Sequence, residues 1–339
     1  MKKEVIIKLI SFIAYYTGIV EILLRKQSKK RYAYVVMGHR LAKQDPFFFG
    51  GCDPIEFDKA IETLKKHFDF IQLETLYQHI QEKKPLSKSS IVLTFDDGFR
   101  DNYSNGMPIF KKHNISAMIY LVHNSIEQQM LPWSQRLGYS LKNTKIKNIA
   151  FRFKEFHFQS ALSSERNRLL AFNKLSKFFQ VSSFGDRENM ICQIENQLKV
   201  DPPKDMMLTW GMISEMKDYG LEFGAHTLSH PLLGNIDITE AKQEIIQSKK
   251  LIEQKIGFAI DHFAFPAGSM NNTLRNFLRE EGFKTSFIKK NLKKLCFEND
   301  HNTLPHEIRR IGLHNAQHYV IIAEFAGVFN VFRRIIHFR

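Results

Sequence analysis

Cysteine is scarce in this 339-residue chain: Cys52, Cys192 and Cys296 are all there are, an odd number set far apart. That excludes a disulfide scaffold and any zinc module built on cysteines, and it favours a reducing compartment. A long uncharged apolar run is also missing. The best candidate, residues 5–24, is interrupted by Lys8 and Glu21, which argues against a membrane span. No small-x-small cleavage site follows it, which argues against a secretory signal. No internal repeat or low-complexity tract is visible. What is present is an ordinary globular balance. Hydrophobic residues at 43% and charged residues at 25% exclude wholesale disorder, and the length gives room for one large domain or two small ones. Thirty phenylalanines point to a well-filled core or to aromatic-rich surfaces.

Acidic residues are outnumbered, 35 against 49 Lys and Arg, for a net charge of +14. The excess is uneven. Residues 1–44 hold ten Lys/Arg against two Glu, and residues 305–339 hold five Arg against two Glu, so the ends carry +8 and +3. The 260 residues between them carry the remaining +3. A nucleic-acid binder would spread its positive charge along a folded groove or face. Here the charge sits at two ends that are also apolar, which points to an anionic membrane surface and away from nucleic acid.

At the N-terminus, Glu4, Lys8, Ser11, Tyr15, Gly18, Glu21 and Arg25 recur every three or four residues and draw one polar stripe along a helix with a broad apolar remainder. Such a helix is at ease in the headgroup plane, and the basic run Arg25–Arg31 that follows it suits anionic lipid. Residues 1–30 are therefore expected to form an amphipathic, basic, membrane-associating segment, and 319–339 an amphipathic C-terminal tail of the same kind. The alternative is that both ends pack as helices on the protein's own core.

Between the ends, short β-type runs alternate with helical periods. Tyr32–Met37, Phe68–Leu73, Ser90–Phe95, Ser116–Val122, Leu221–Ala225, His262–Phe265, Thr285–Ile288 and Arg310–Leu313 read as strands. Asp53–Phe68 and Thr239–Ile256 read as helices, the second opened by a Thr cap. Strands alternating with helices imply an α/β fold on a parallel sheet, open or closed into a barrel. Residues 125–205 break the rhythm and read as a largely helical insertion, with helices near Ser163–Phe179 and Arg187–Leu198, that caps one side of the mouth.

Polar residues gather where these strands end: Gly38-His39-Arg40, Asp96-Asp97-Gly98, His123-Asn124, His226, Pro266-Ala267-Gly268 and His314-Asn315. The C-terminal ends of parallel strands are where α/β folds place their sites. Asp96 and Asp97 are adjacent carboxylates before a Gly that permits a sharp turn, and alone they could equally cap a helix. His226 and His230 are four apart and can bind one metal if the segment turns helically. One Asp and two His make a facial set for a divalent metal with open positions, and the second Asp is then available as a base.

The runs Thr94–Gly98, His226–His230 and Phe263–Gly268 resemble, in order and spacing, the first three motifs of the NodB-like polysaccharide deacetylases, a carbohydrate esterase family. Met37–Arg40, Leu208-Thr209-Trp210 and Glu244–Lys249 agree with it, and the resemblance covers roughly residues 30–318. It implies a distorted (β/α) barrel with the catalytic domain at 31–318, and hydrolysis of an N-acetyl group from an amino sugar. It further implies that Asp97, His226 and His230 bind the metal, zinc foremost, and that Asp96 is the general base. His314 would protonate the leaving amine, with His306 and His318 as rivals, and His39, Trp210 and Pro266 would contact substrate. The chain departs from the pattern at Ala264, where many relatives carry an Arg that orients the base, and at Ala267, Gly211 and Gly38.

The reading is thus a metal-dependent N-deacetylase acting on an N-acetylated glycan or lipid-linked amino sugar at a membrane surface. It would be cytoplasmic and peripheral, or alternatively anchored and facing outward. The competing reading is a glycan-binding or scaffold protein that keeps the barrel and has lost turnover.

Overall fold

A computed structural model describes residues 2–43, 51–288, 298–313 and 315–329. The strands, in chain order, are β1 (Ala33–Gly38), β2 (Asp69–Phe70), β3 (Ser90–Phe95), β4 (Met118–Leu121), β5 (Asn148–Phe153), β6 (Phe156–Ala161), β7 (Glu222–Ala225) and β8 (Arg310–Gly312). The helices are α1 (Lys2–Tyr16), α2 (Ile19–Ser28), α3 (Pro54–Leu64), α4 (Leu73–Gln81), α5 (Met107–His113), α6 (His123–Gln128), α7 (Trp133–Asn143), α8 (Glu165–Phe179), α9 (Phe184–Leu198), α10 (Trp210–Tyr219), α11 (Ile238–Ile256), α12 (Asn272–Glu280) and α13 (His318–Phe325).

The sheet runs β7-β4-β3-β1-β8, all parallel, with β2 beside the start of β3. β1 and β3 read as near-continuous apolar runs because both faces are covered, as parallel strands require. Single parallel bridges close the ring: Ala225 to Phe263, His262 to Thr285, and Phe287 to Ile308, which leads into β8 and back to β1. The predicted strands at 262–265 and 285–288 exist only as these bridges. This stretch is where the barrel is distorted.

Two predicted boundaries need correction. The run Phe68–Leu73 yields a two-residue strand because Leu73 already starts α4. That helix has no side-chain cap of its own. Its first N–H groups, Leu73 N at 2.8 Å and Glu74 N at 3.0 Å, donate to the Glu222 carboxylate on β7. The long helix α11 is capped by Asp237, which accepts from Thr239 N and Glu240 N, and not by Thr239.

The insertion is less helical than expected. Between α7 and α8 stands an antiparallel hairpin, β5–β6, and its alternating inward Ile149, Phe151 and Phe158 join Leu137, Leu175, Phe179 and Ile191 in a core separate from the barrel's. Arg136 pins α7 to α9 through Glu188 and Glu195 at 2.5–2.8 Å.

The N-terminal segment forms two helices bent by 85° at Thr17-Gly18, where Gly18 takes the left-handed φ of 79°. The predicted polar stripe does not face solvent along its length. Ser11 is fully buried and its hydroxyl donates to Ile7 O, while Tyr15 packs against His318 at 5.3 Å. At the other end, α13 buries Ile321, Ile322 and Phe325 against the barrel, with Phe325 on Tyr34 and Phe68. The described part of the C-terminal tail is core.

Candidate active site

The site is built at the C-terminal edge of the sheet. β3 ends at Phe95, and the chain then turns sharply, because Asp97 and Gly98 both take left-handed φ values of 78° and 76°. On a continuing strand the two carboxylates would point to opposite faces; here the turn lets both face the same cavity. Asp96 N still donates to Gly38 O at 2.9 Å, so Asp96 keeps its place in the sheet.

Asp96 is buried and held by Arg310 from β8 in a two-pronged pair, Nη1 to Oδ1 at 2.7 Å and Nη2 to Oδ2 at 2.8 Å. The guanidinium lies over Phe287 at 4.2 Å, which fixes its plane. Burial, the largest influence, would raise the Asp96 pKa, but Arg310 together with His226 and His39 outweighs it and keeps the carboxyl below the usual range.

Asp97 faces His226 Nε2 at 3.4 Å and His230 Nε2 at 3.2 Å, the two rings standing 5.0 Å apart. His226 Nδ1 donates to Ala264 O at 2.7 Å, so in the neutral ring Nε2 presents its lone pair to Asp97. The turn carrying these histidines is strained: Thr227 has φ 71° and His230 has φ 61°. It is held from two sides. The barrel supplies Glu244, whose carboxylate accepts from Leu228 N and Ser229 N, both at 2.9 Å, and from Ser229 Oγ at 2.5 Å. The insertion supplies Trp133, whose indole N–H donates to His230 O at 3.2 Å, and the buried Arg187, which reaches Ser229 O at 3.5 Å.

Neither Asp97 oxygen has an aligned hydrogen bond, though both are fully buried. Burial, the largest influence, would raise this carboxyl's pKa, and the facing imidazoles, in their protonated form, instead hold it well below the usual range. Three donor atoms from Asp97, His226 and His230 lie within 4.8 Å of one another. An orphaned buried carboxylate facing two imidazole nitrogens is the donor chemistry that a divalent cation satisfies, so these residues fit a metal of the zinc type. Beside them opens a cavity of about 400 Å³, lined by the polar His39, Asp96 and Arg310 and by the apolar Phe265, Phe287 and Ile288.

The other residues singled out from the sequence are placed as follows. His39 lines the cavity. Pro266 is buried between Phe265 and Ala267, which line it. Trp210 stands outside the lining: its indole donates to Glu127 at 2.8 Å and lies tilted against the His123 ring, 5.9 Å away. His314 lies outside the described residues. Of its rivals, His306 is buried beside Ser286, with its pKa pushed down to about 4 by burial, and His318 bonds Glu56 at 2.7 Å. Neither lines the cavity. Arg310 escaped sequence reasoning. The signal was a charged residue opening an otherwise apolar strand, and it supplies from β8 the guanidinium that Ala264 lacks.

The sequence profile of the polysaccharide deacetylases matches residues 83–286, well over half of the chain. The chain belongs to the polysaccharide deacetylase family. It is 36% identical over 76 residues to the putative polysaccharide deacetylase YxkH of Bacillus subtilis, a stretch that is 20% of this chain and 26% of that protein. It is 30% identical over 112 residues, 29% of this chain and 38% of the other, to the poly-beta-1,6-N-acetyl-D-glucosamine N-deacetylase of Staphylococcus epidermidis. The matched stretches thus span about a quarter and somewhat over a third of these curated relatives. Among solved structures, the fold is similar to the Streptococcus pyogenes deacetylase PplD in complex with acetate (TM-score 0.56, 16% identity, 84% of this chain and 92% of that one). It is similar also to IcaB from Ammonifex degensii (TM-score 0.56, 16% identity, 88% and 98%). At these identities the likeness shows the fold, a NodB-type (β/α) barrel.

Proposed function

We propose that this protein hydrolyses the N-acetyl group of an amino sugar in a glycan, with a divalent metal, zinc foremost, held by Asp97, His226 and His230. The observation that carries the proposal is the pair of neighbouring buried carboxylates in opposite circumstances: Asp96 saturated by Arg310, Asp97 orphaned before two imidazoles.

A metal bound there supplies Lewis acidity toward the amide carbonyl and toward the attacking water. Asp96, ionised and oriented by Arg310, accepts the proton of that water. Water oxygen bonds to the acetyl carbon, the carbon–nitrogen bond breaks, and acetate and a free amine leave. The proton for the departing amine is assigned to His314 on the resemblance of its motif. His39, in the cavity lining, is available to sugar hydroxyls, and the lining rings Phe265 and Phe287 suit the acetyl methyl group. Arg310 supports turnover over a scaffold role, because it restores the cation that the Ala264 departure removes. We place the reaction at a membrane surface, on a glycan or lipid-linked sugar, because the N-terminal segment exposes large apolar side chains and is followed by a basic run.

The test is acetate release from N-acetylglucosamine oligomers. The wild type should release acetate, lose the activity to a chelator and regain it with zinc, and Asp97→Ala and His226→Ala should each be inactive. Activity that persists through chelation and in both variants would overturn the proposal.

A further inference from the structure

The described residues expose fourteen large apolar side chains, and eight of them fall between residues 5 and 22: Val5, Ile6, Leu9, Phe12, Ile13, Tyr16, Ile19 and Ile22, each 47–70% exposed. The other six are scattered over the rest of the chain. On α1 both faces are largely apolar, and Glu4 and Lys8 are its exposed charges among the residues whose side chains are described. The inner face carries Ile7, Ile10 and Ala14 but also the polar Ser11, and the outer face is a continuous apolar strip at positions 5, 9, 12 and 16 flanked by 6 and 13. An ordinary surface helix is apolar inward and polar outward, and it is the outer face of α1 that departs from this. A patch of this kind marks a binding surface.

We infer that the α1–α2 elbow docks on an anionic phospholipid bilayer, lying in the headgroup plane. This rests on the membrane-surface part of the reading above and not on its chemistry. Charge complementarity selects the occupant. The apolar strip is followed by Arg25, Lys26, Lys29, Lys30 and Arg31, all exposed, and residues 1–44 carry +8. A protein partner bound by an apolar strip has no need of that flanking charge; an anionic headgroup layer does.

Length decides between lying and spanning. α1 has 15 residues, about 22 Å at 1.5 Å per residue, against about 30 Å of hydrocarbon. No single helix among the described residues is long and apolar enough to cross, and the 85° bend turns α2 away from the α1 axis.

The position of the elbow gives the docking a consequence. α3 and α13 follow β1 and β8, so both begin at the C-terminal edge of the sheet, where the cavity opens. The first residue of α13, His318, bonds Glu56 in the first turn of α3 and packs on Tyr15, while Phe12 meets Tyr319 at 5.7 Å. The C-terminal end of α1 is thus seated at the mouth end of the barrel, while α2 carries the chain down to the strand starts, where Ser28 O accepts from Ser89 N at 2.8 Å and the basic run leads into β1, so the docking surface runs along the side of the barrel.

The test is flotation of the full-length protein with vesicles of phosphatidylcholine mixed with phosphatidylglycerol, compared with phosphatidylcholine alone. The wild type should float with the mixed vesicles, losing about five-fold in affinity for each of Lys29→Gln and Lys30→Gln. Leu9→Asp with Ile13→Asp should weaken partitioning by roughly a hundred-fold, from the apolar burial lost. All variants should keep their melting temperature and their acetate release from a soluble oligomer. Wild type that stays with the unbound fraction, or a Leu9/Ile13 double variant that floats as well as wild type, overturns the docking. So does light scattering that finds the strip buried in a dimer which the double variant splits. Loss of acetate release in wild type that still floats would count against the deacetylase reading alone.

Discussion

At the mouth of the barrel, Asp96, Asp97, His226 and His230 are buried to between 1% and 8% exposure, while at the N-terminal elbow eight large apolar side chains stand in solvent. Each region breaks the ordinary partition of polar outside and apolar inside, in opposite directions. The difference lies in where compensation comes from. Burying a charge costs several kcal/mol unless it is paired, and the barrel pairs one of its carboxylates internally, through Arg310 on β8, with β1 between it and β3. Asp97 receives only two imidazoles that lack hydrogen-bond alignment, and its proposed compensation is a cation. The outer face of the elbow has no such internal partner among the described residues, and the docking proposed above would supply one from outside.

The strongest way to sharpen this contrast is to neutralise the compensated carboxylate. Asp96→Asn should lower kcat by about a thousand-fold, within the range for loss of a general base, while metal content stays at the wild-type level. Measured by acetate release alongside elemental analysis, an equal loss of metal would mean that Asp96 is a ligand too. Next in size is Arg310→Lys, which keeps the charge but loses the planar fork. It should cost roughly ten- to a hundred-fold in kcat with KM little changed, as is usual for a group that orients another. An unchanged kcat would break the claim that β8 positions the base.

A smaller effect is expected where the insertion meets the histidine turn. Trp133→Phe removes one hydrogen bond to His230 O, and the loss of about 1 kcal/mol should weaken metal binding several-fold in a competition titration. Equal affinities would leave the insertion without a part in holding the turn. The smallest effect belongs to the closed end of the barrel, where charges are fully paired. Glu74 has its carboxyl held at about 2, first by the hydrogen bond from His262 and then, against burial, by Lys284. Its folded value lies below the unfolded one, so its stabilisation is present above pH about 4.5 and is lost as pH falls toward 2. Glu74→Gln should flatten acid unfolding in that window and cost under about 1 kcal/mol at neutral pH. An unchanged acid transition would show the pair to be idle.

How much of this was legible in the sequence follows from the range of each interaction. β3 runs from Ser90 to Phe95 as the apolar run reads, since a strand buried on both faces announces itself locally. The Asp-Asp-Gly turn and the His226/His230 pair were legible for the same reason: their chemistry is written within five residues. The Arg310–Asp96 pair was not, because its partners are 214 positions apart and only the closing of the barrel joins them. The α4 start was hidden likewise, capped by Glu222 from a distant strand. The hairpin β5–β6 lay in a stretch rich in Lys and Phe whose alternation is short. At the elbow, periodicity revealed that α1 has two faces but not which one α13 would cover.

The most direct measurement is zinc titration of three proteins made free of metal: wild type, Asp97→Asn and Asp96→Asn. The account predicts one tightly held ion per chain in the wild type and in Asp96→Asn, and none held tightly in Asp97→Asn. Tight binding that survives in Asp97→Asn, or no stoichiometric binding by the wild type, would contradict it.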